Sequence, residues 1–118
     1  MQRVTMKASL FVTGITLALV AGVPRPARAQ DAAAKGAEVY AAQKCSTCHS
    51  IAGKGGKSSP LDGVGAKLSA ADIKEWIVDP VASAKKANST KKPPMPKKYD
   101  KLPAADIDGL VAYMQTLK

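Results

Sequence analysis

Five consecutive residues, Cys45-Ser46-Thr47-Cys48-His49, carry the densest chemistry in the chain. In a helical turn, residues i and i+3 share a face, so the two thiols point the same way. The residue that follows them is the only His of the sequence. This order suits covalent attachment of a haem. Each thiol can reach one of two vinyl groups on a porphyrin edge, and the imidazole can reach iron from the same side. Other chemistries fit the residues less well. A Cys45–Cys48 disulfide or a thioredoxin-like pair prefers a βαβ setting, and no β-rich run precedes the motif. A metal site would lack a fourth His or Cys ligand.

A haem iron also needs a group on its far side. The stretch Lys91-Lys92-Pro93-Pro94-Met95-Pro96 places a Met among prolines and on no amphipathic stripe. Prolines on both sides stiffen the loop and lower the entropy cost of holding a thioether in place. Met114 instead falls on the apolar face of a helix, where a core role is expected. Met95 is therefore the expected distal ligand, since His/Met is an established haem pairing.

The elements that must position these residues are helical. The chain has 118 residues, 46% apolar and 23% charged, which suits one small domain. Residues 1–29 read as a signal peptide: Arg3 and Lys7 lead an uncharged stretch from Ala8 to Val23, and Ala27-Arg28-Ala29 offers a small-x-small cleavage site. An uncleaved anchor is the rival reading, but the apolar run ends at Pro24, short of the ~20 residues a membrane span needs. Cleavage after Ala29 leaves 89 residues, 30–118, with 14 Lys, no Arg and a net charge of +5. Their aromatics are Tyr40, Trp76, Tyr99 and Tyr113, a thin core that a cofactor would supplement.

A first helix is expected from Asp31 to Lys44, with Asp31 as N-cap. A Gly-rich loop should follow from Ser50 to Gly65. Ser69-Ala70-Ala71-Asp72 resembles a capping box and opens a helix through Val78, with Ile73, Trp76 and Ile77 on its apolar stripe. Pro80 should end that helix and begin a long loop to Leu102. Pro103 starts a last helix, whose buried face is Ile107, Leu110, Val111, Met114 and Leu117. No strand-like alternation appears. A loop of more than 20 residues in a compact domain points to function.

From Gly36 to the end, the sequence resembles class I monohaem cytochromes c, the small exported c-type cytochromes of bacteria. The matching residues are Gly36 and Tyr40, Cys45-Ser46-Thr47-Cys48-His49, Pro60-Leu61, Gly63-Val64-Gly65, Met95-Pro96 and Leu110-Val111-Ala112-Tyr113. The resemblance implies an all-α class I cytochrome c fold, with three main helices and long loops around one covalently bound haem c. It implies that the first and last helices cross near Gly36 and Tyr113. It also makes the Pro60 carbonyl the acceptor for the second nitrogen of His49, which would orient the ring. Two departures stand out. Ser59 occupies a position where many relatives have Gly, and without Arg no guanidinium can hold a haem propionate. Trp76, Asn88, Ser89, Tyr99 and nearby Lys are substitute donors.

The function so implied is periplasmic transfer of single electrons, with iron held by His49 and Met95. It calls for no acid–base machinery, no small-molecule substrate and no enzyme activity in the isolated chain. Lys85, Lys86, Lys91, Lys92, Lys97, Lys98 and Lys101 crowd the Met95 loop. They read either as a solvated surface or as a positive rim that steers redox proteins with acidic docking surfaces. Nucleic acid fits poorly with export and few aromatics. Two alternatives remain open: a haem subunit of a periplasmic dehydrogenase or oxidase complex, and a five-coordinate protein that binds gas or peroxide.

Overall fold

The computed structural model describes residues 27–118. The leader stretch 1–26 lies outside the described residues, and the expected cleavage site, Ala27-Arg28-Ala29, falls in the first turn of a helix. That helix, α1, spans Ala27–Ala42. It starts before Asp31, so Asp31 sits inside it rather than capping it. The residues Ala27-Arg28-Ala29-Gln30 are all good helix formers and extend it backwards.

The last helix crosses α1, as the resemblance implied. Eight further elements lie between them, beginning with a 3-10 turn at Cys45–Thr47, strands β1 (His49–Ile51), β2 (Lys54–Gly55) and β3 (Ser59–Pro60), and a short helix α2 at Val64–Lys67. Helices α3 (Ala70–Val78) and α4 (Pro80–Lys86) follow, then a 3-10 turn at Tyr99–Lys101, and finally α5 at Ala104–Thr116. At the crossing, a Cβ on Gly36 would overlap the Gly109 carbonyl, so only Gly lets the two backbones meet. One turn further along each helix, Tyr40 and Tyr113 pack edge to face, with ring centroids 5.7 Å apart at 71°. Lys35 Nζ reaches Asp106 Oδ1 at 3.0 Å across the same interface.

The buried core is small: Val39 from α1, Ile73 and Ile77 from α3, and Ile107, Leu110 and Met114 from α5. Tyr40, Leu61, Val64, Leu68, Tyr99, Leu102 and Tyr113 pack around it, half-buried. Met114 is thus a core residue, whereas Val111 and Leu117 on the same helix are only half-buried. On α3, Ile73 and Ile77 face the core, and Trp76 is half-buried.

Two expectations need correction. The first concerns Pro80, which ends α3 and also begins α4. Its missing N–H costs nothing in a first turn, and the Asp79 carboxylate just before it accepts from the Ala82 N–H at 3.3 Å. The long loop therefore contains a helix and a 3-10 turn, and only residues 87–98 lack regular structure. The second concerns the Gly-rich loop, which holds a small sheet ordered β2-β1-β3. Strand β1 runs antiparallel to β2, with Ser50 opposite Gly55, and parallel to β3, with His49 opposite Ser59. Ala52 and Gly53 both take positive φ, 51° and 76°, the mark of a tight hairpin turn.

The capping box forms as expected. Ser69 Oγ accepts from the Asp72 N–H at 3.1 Å, while the Asp72 carboxylate takes the Ser69 N–H at 3.3 Å and its hydroxyl at 2.6 Å. No helix among the described residues is long and apolar enough to cross a membrane.

Candidate functional site

The Cys45–His49 motif is shaped by backbone on every side. Lys44, at φ 55°, turns the chain out of α1. Thr47 N–H then donates to Lys44 carbonyl at 3.0 Å, and Cys48 N–H to Cys45 carbonyl at 3.2 Å. These are i→i+3 bonds. In 3-10 geometry, residues i and i+3 eclipse one another, so Cys45 and Cys48 stand on one side of the turn. Both are half-buried, and they are free thiols rather than a disulfide.

The sheet clamps this turn from below. Gly56 N–H donates to Ser46 carbonyl at 2.8 Å, and Ser59 N–H to Cys48 carbonyl at 3.3 Å. A Cβ on Gly55 would overlap the His49 carbonyl, and one on Gly56 would overlap Thr47 carbonyl. Gly55 also sits at φ 113°, a conformation that side chains rarely adopt. From sequence these glycines read only as loop punctuation. Their spacing from the motif was the available signal.

His49 is oriented by one bond. Its Nδ1 lies 2.8 Å from the Ser59 carbonyl oxygen. A carbonyl can only accept, so Nδ1 carries the proton and Nε2 keeps a free lone pair. The resemblance had assigned this role to the Pro60 carbonyl, and the structure corrects that. The parallel register sets His49 opposite Ser59, and the acceptor follows from register, whichever residue supplies the carbonyl. The Tyr40 hydroxyl donates to the His49 carbonyl at 3.4 Å. Burial above all, then the nearby Cys45 and Tyr113, pushes the Tyr40 phenol up to about 12, so it remains a donor at neutral pH.

The far end of the Met95 loop comes to the same place. Burial pushes the Cys45 thiol up, its own backbone bond and the Lys98 ammonium pull it down, and Cys48 adds to the rise. Tyr99 is raised by burial first and then by Cys45 and Cys48. Lys98, three residues beyond Met95, is thus within electrostatic reach of Cys45, and Tyr99 within reach of both cysteines. Between Ala87 and Lys98 every residue is exposed except Met95, which is half-buried. The candidate propionate donors are scattered: Asn88 and Ser89 are exposed, while Trp76 and Tyr99 are half-buried. Among the described residues, no three His, Cys, Asp or Glu side chains gather to hold a metal ion by themselves.

The family model described as Cytochrome c matches residues 33–118. The chain belongs to the cytochrome c family. It is a mostly helical, class I monohaem cytochrome that carries electrons on covalently bound haem c with iron. No curated protein and no solved structure matches it. The match begins within α1 and runs through α5, so it takes in the helix crossing, the motif and the Met95 loop together. The donor set suits the group: two thiols on one side of a turn and an imidazole with its Nε2 free.

Proposed function

We propose that this cytochrome is a periplasmic one-electron carrier, with haem held through Cys45 and Cys48 and iron ligated by His49 and Met95. One observation carries the reading. The 2.8 Å contact from His49 Nδ1 to the Ser59 carbonyl leaves Nε2 as the only ring nitrogen with a lone pair. Such a bond also fixes the plane of the ring.

Each part of the chain then has a task. Cys45 and Cys48 would hold the haem by thioethers, each formed by adding a thiol S–H across one vinyl group, with sulfur bonded to one carbon and hydrogen to the other. This addition needs no oxidant, and it requires that Cys45 and Cys48 form no disulfide with each other, as is the case. The haem would supply the one-electron redox chemistry when bound. Met95 presents a soft sulfur, which favours the ferrous ion and raises the potential. The Gly55–Gly56 backbone holds the motif turn still, so little has to move when charge changes.

The lysines refine the partner side of the proposal. Lys86 pairs with Glu75 at 3.3 Å and Lys97 with Asp79 at 3.8 Å. Lys85, Lys91, Lys92, Lys98 and Lys101 have no acidic partner among the described residues. These five are the ones that can steer an acidic redox protein, and such steering weakens as salt rises. Export to the periplasm rests on the leader-like residues 1–29.

Acid–organic extraction tests the attachment. Haem should stay with the polypeptide, and the protein mass should exceed that of the bare chain by one haem. Haem in the organic layer, or a protein mass equal to that of the bare chain, contradicts the assignment. Carbon monoxide that binds the ferrous wild type readily at neutral pH would favour a five-coordinate gas-binding protein instead.

A further inference from the structure

The segment that carries Met95 is poorly tied to the rest of the molecule. Pro93, Pro94 and Pro96 have no N–H, so half of the residues from Lys91 to Pro96 cannot donate a backbone hydrogen bond. The bonds that do form are local: Lys91 N–H to Ser89 Oγ at 3.4 Å, and Lys98 N–H to Pro96 carbonyl at 3.1 Å. From Thr90 to Lys97, one polar contact among the described residues reaches another element. It is the ion pair from Lys97 Nζ to Asp79 Oδ1, at 3.8 Å.

Asp79 is well placed to anchor a loop. Its N–H closes α3 on the Glu75 carbonyl at 2.7 Å, and its carboxylate opens α4. The next residue, Pro80, is fully buried, and α3 brings Ile73 and Ile77 into the core. The joint between α3 and α4 is therefore rigid, and its Asp79 carboxylate meets Lys97, two residues beyond Met95.

We propose that the Asp79–Lys97 pair is a latch that holds Met95 on the iron, making both positioning residues for the distal ligand. The latch rests on the Met95 ligation proposed above. Its side chains are half in solvent, at 51% for Lys97 and 40% for Asp79. Its strength is that of a surface pair, and salt screens it. The latch sets how readily an outside base displaces Met95, while the fold itself does not depend on it.

Imidazole titration of the ferric holoprotein tests this, with the far-red iron–sulfur band as readout. Asn caps a helix as well as Asp does, so Asp79→Asn removes the charge and keeps α4 capped. At low salt, Asp79→Asn and Lys97→Gln should each tighten imidazole binding about two- to five-fold. The double variant should do no more than either single change, because the two residues act as one pair. At about 1 M salt, where the Debye length is about 3 Å, the differences should vanish. Helix content should be the same in all four proteins. Imidazole affinities equal to wild type, or effects that add in the double variant, overturn the latch. A far-red band that survives Met95→Ala overturns the ligation and the latch together, so the two failures are distinguishable.

Discussion

At the crossing of α1 and α5 two backbones touch, while along residues 87–98 every side chain except Met95 is exposed. The crossing is held by a glycine contact, two tyrosine rings and a 3.0 Å ion pair. The Met95 segment has one half-buried thioether and one 3.8 Å ion pair. Both regions contribute to the same cytochrome, but to different properties. The crossing and the sheet beneath the motif make a rigid seat for Cys45, Cys48 and His49. On the proposed ligation, the distal side would be held weakly enough that its grip on iron can change without unfolding the helices. Stability and ligand strength are thus carried by different residues, and substitutions should separate them.

The sharpest separation is expected between the two methionines. Met114→Ala removes a buried side chain from the core and should cost about 2–5 kcal/mol in denaturant unfolding. Its far-red band should remain. A Met114→Ala protein of unchanged stability would mean that the core is not where the structure places it.

Gly36→Ala comes next. Its new methyl group meets the Gly109 carbonyl, backbone that cannot swing aside, so α1 and α5 must move apart. Overpacking of this kind costs about 1–3 kcal/mol, read as a lower urea midpoint. Imidazole affinity should stay at the wild-type value, because the distal segment is tied elsewhere. A large change in that affinity would join the two regions that the comparison divides.

The smallest effect is expected at the start of α3. Ser69→Ala removes the helix cap and should cost about 0.5–2 kcal/mol near pH 7. The hydrogen bonds from Ser69 hold the Asp72 carboxyl below its ordinary value. A carboxylate lowered in the folded state stabilises the protein above its unfolded pKa, and that stabilisation is lost as pH falls through the folded value. The stability gap between wild type and Ser69→Ala should therefore narrow below about pH 4. A gap that stays constant into acid would remove the carboxylate from the cap.

Much of the site was legible because its chemistry demands residue types at fixed spacing. Cys45, Cys48 and His49 are recognisable without any fold, and Met95 stood out because it lies on no stripe. The α3 start was legible from Ser69 and Asp72, whose side chains satisfy local backbone groups. What was hidden depended on distant parts of the chain. The acceptor for His49 is set by the parallel register of β1 and β3, and strands of two or three residues leave no period to read. Pro80 was read as a stop when it is also a start, since its fixed φ serves both. Gly109 went unnoticed, although Gly109 to Tyr113 repeats the spacing from Gly36 to Tyr40, and that repeat was the visible sign of a crossing.

The central claim is that His49 and Met95 hold the iron from opposite ends of the chain. Near-infrared absorption and redox titration of Met95→Ala holoprotein test it most directly. The far-red band should disappear, the potential should fall, and the ferrous protein should bind carbon monoxide, while far-UV circular dichroism keeps the wild-type helix content. A Met95→Ala protein with the native band and potential would contradict the claim and hand the distal position to another group, with Met114 or a loop lysine next in line.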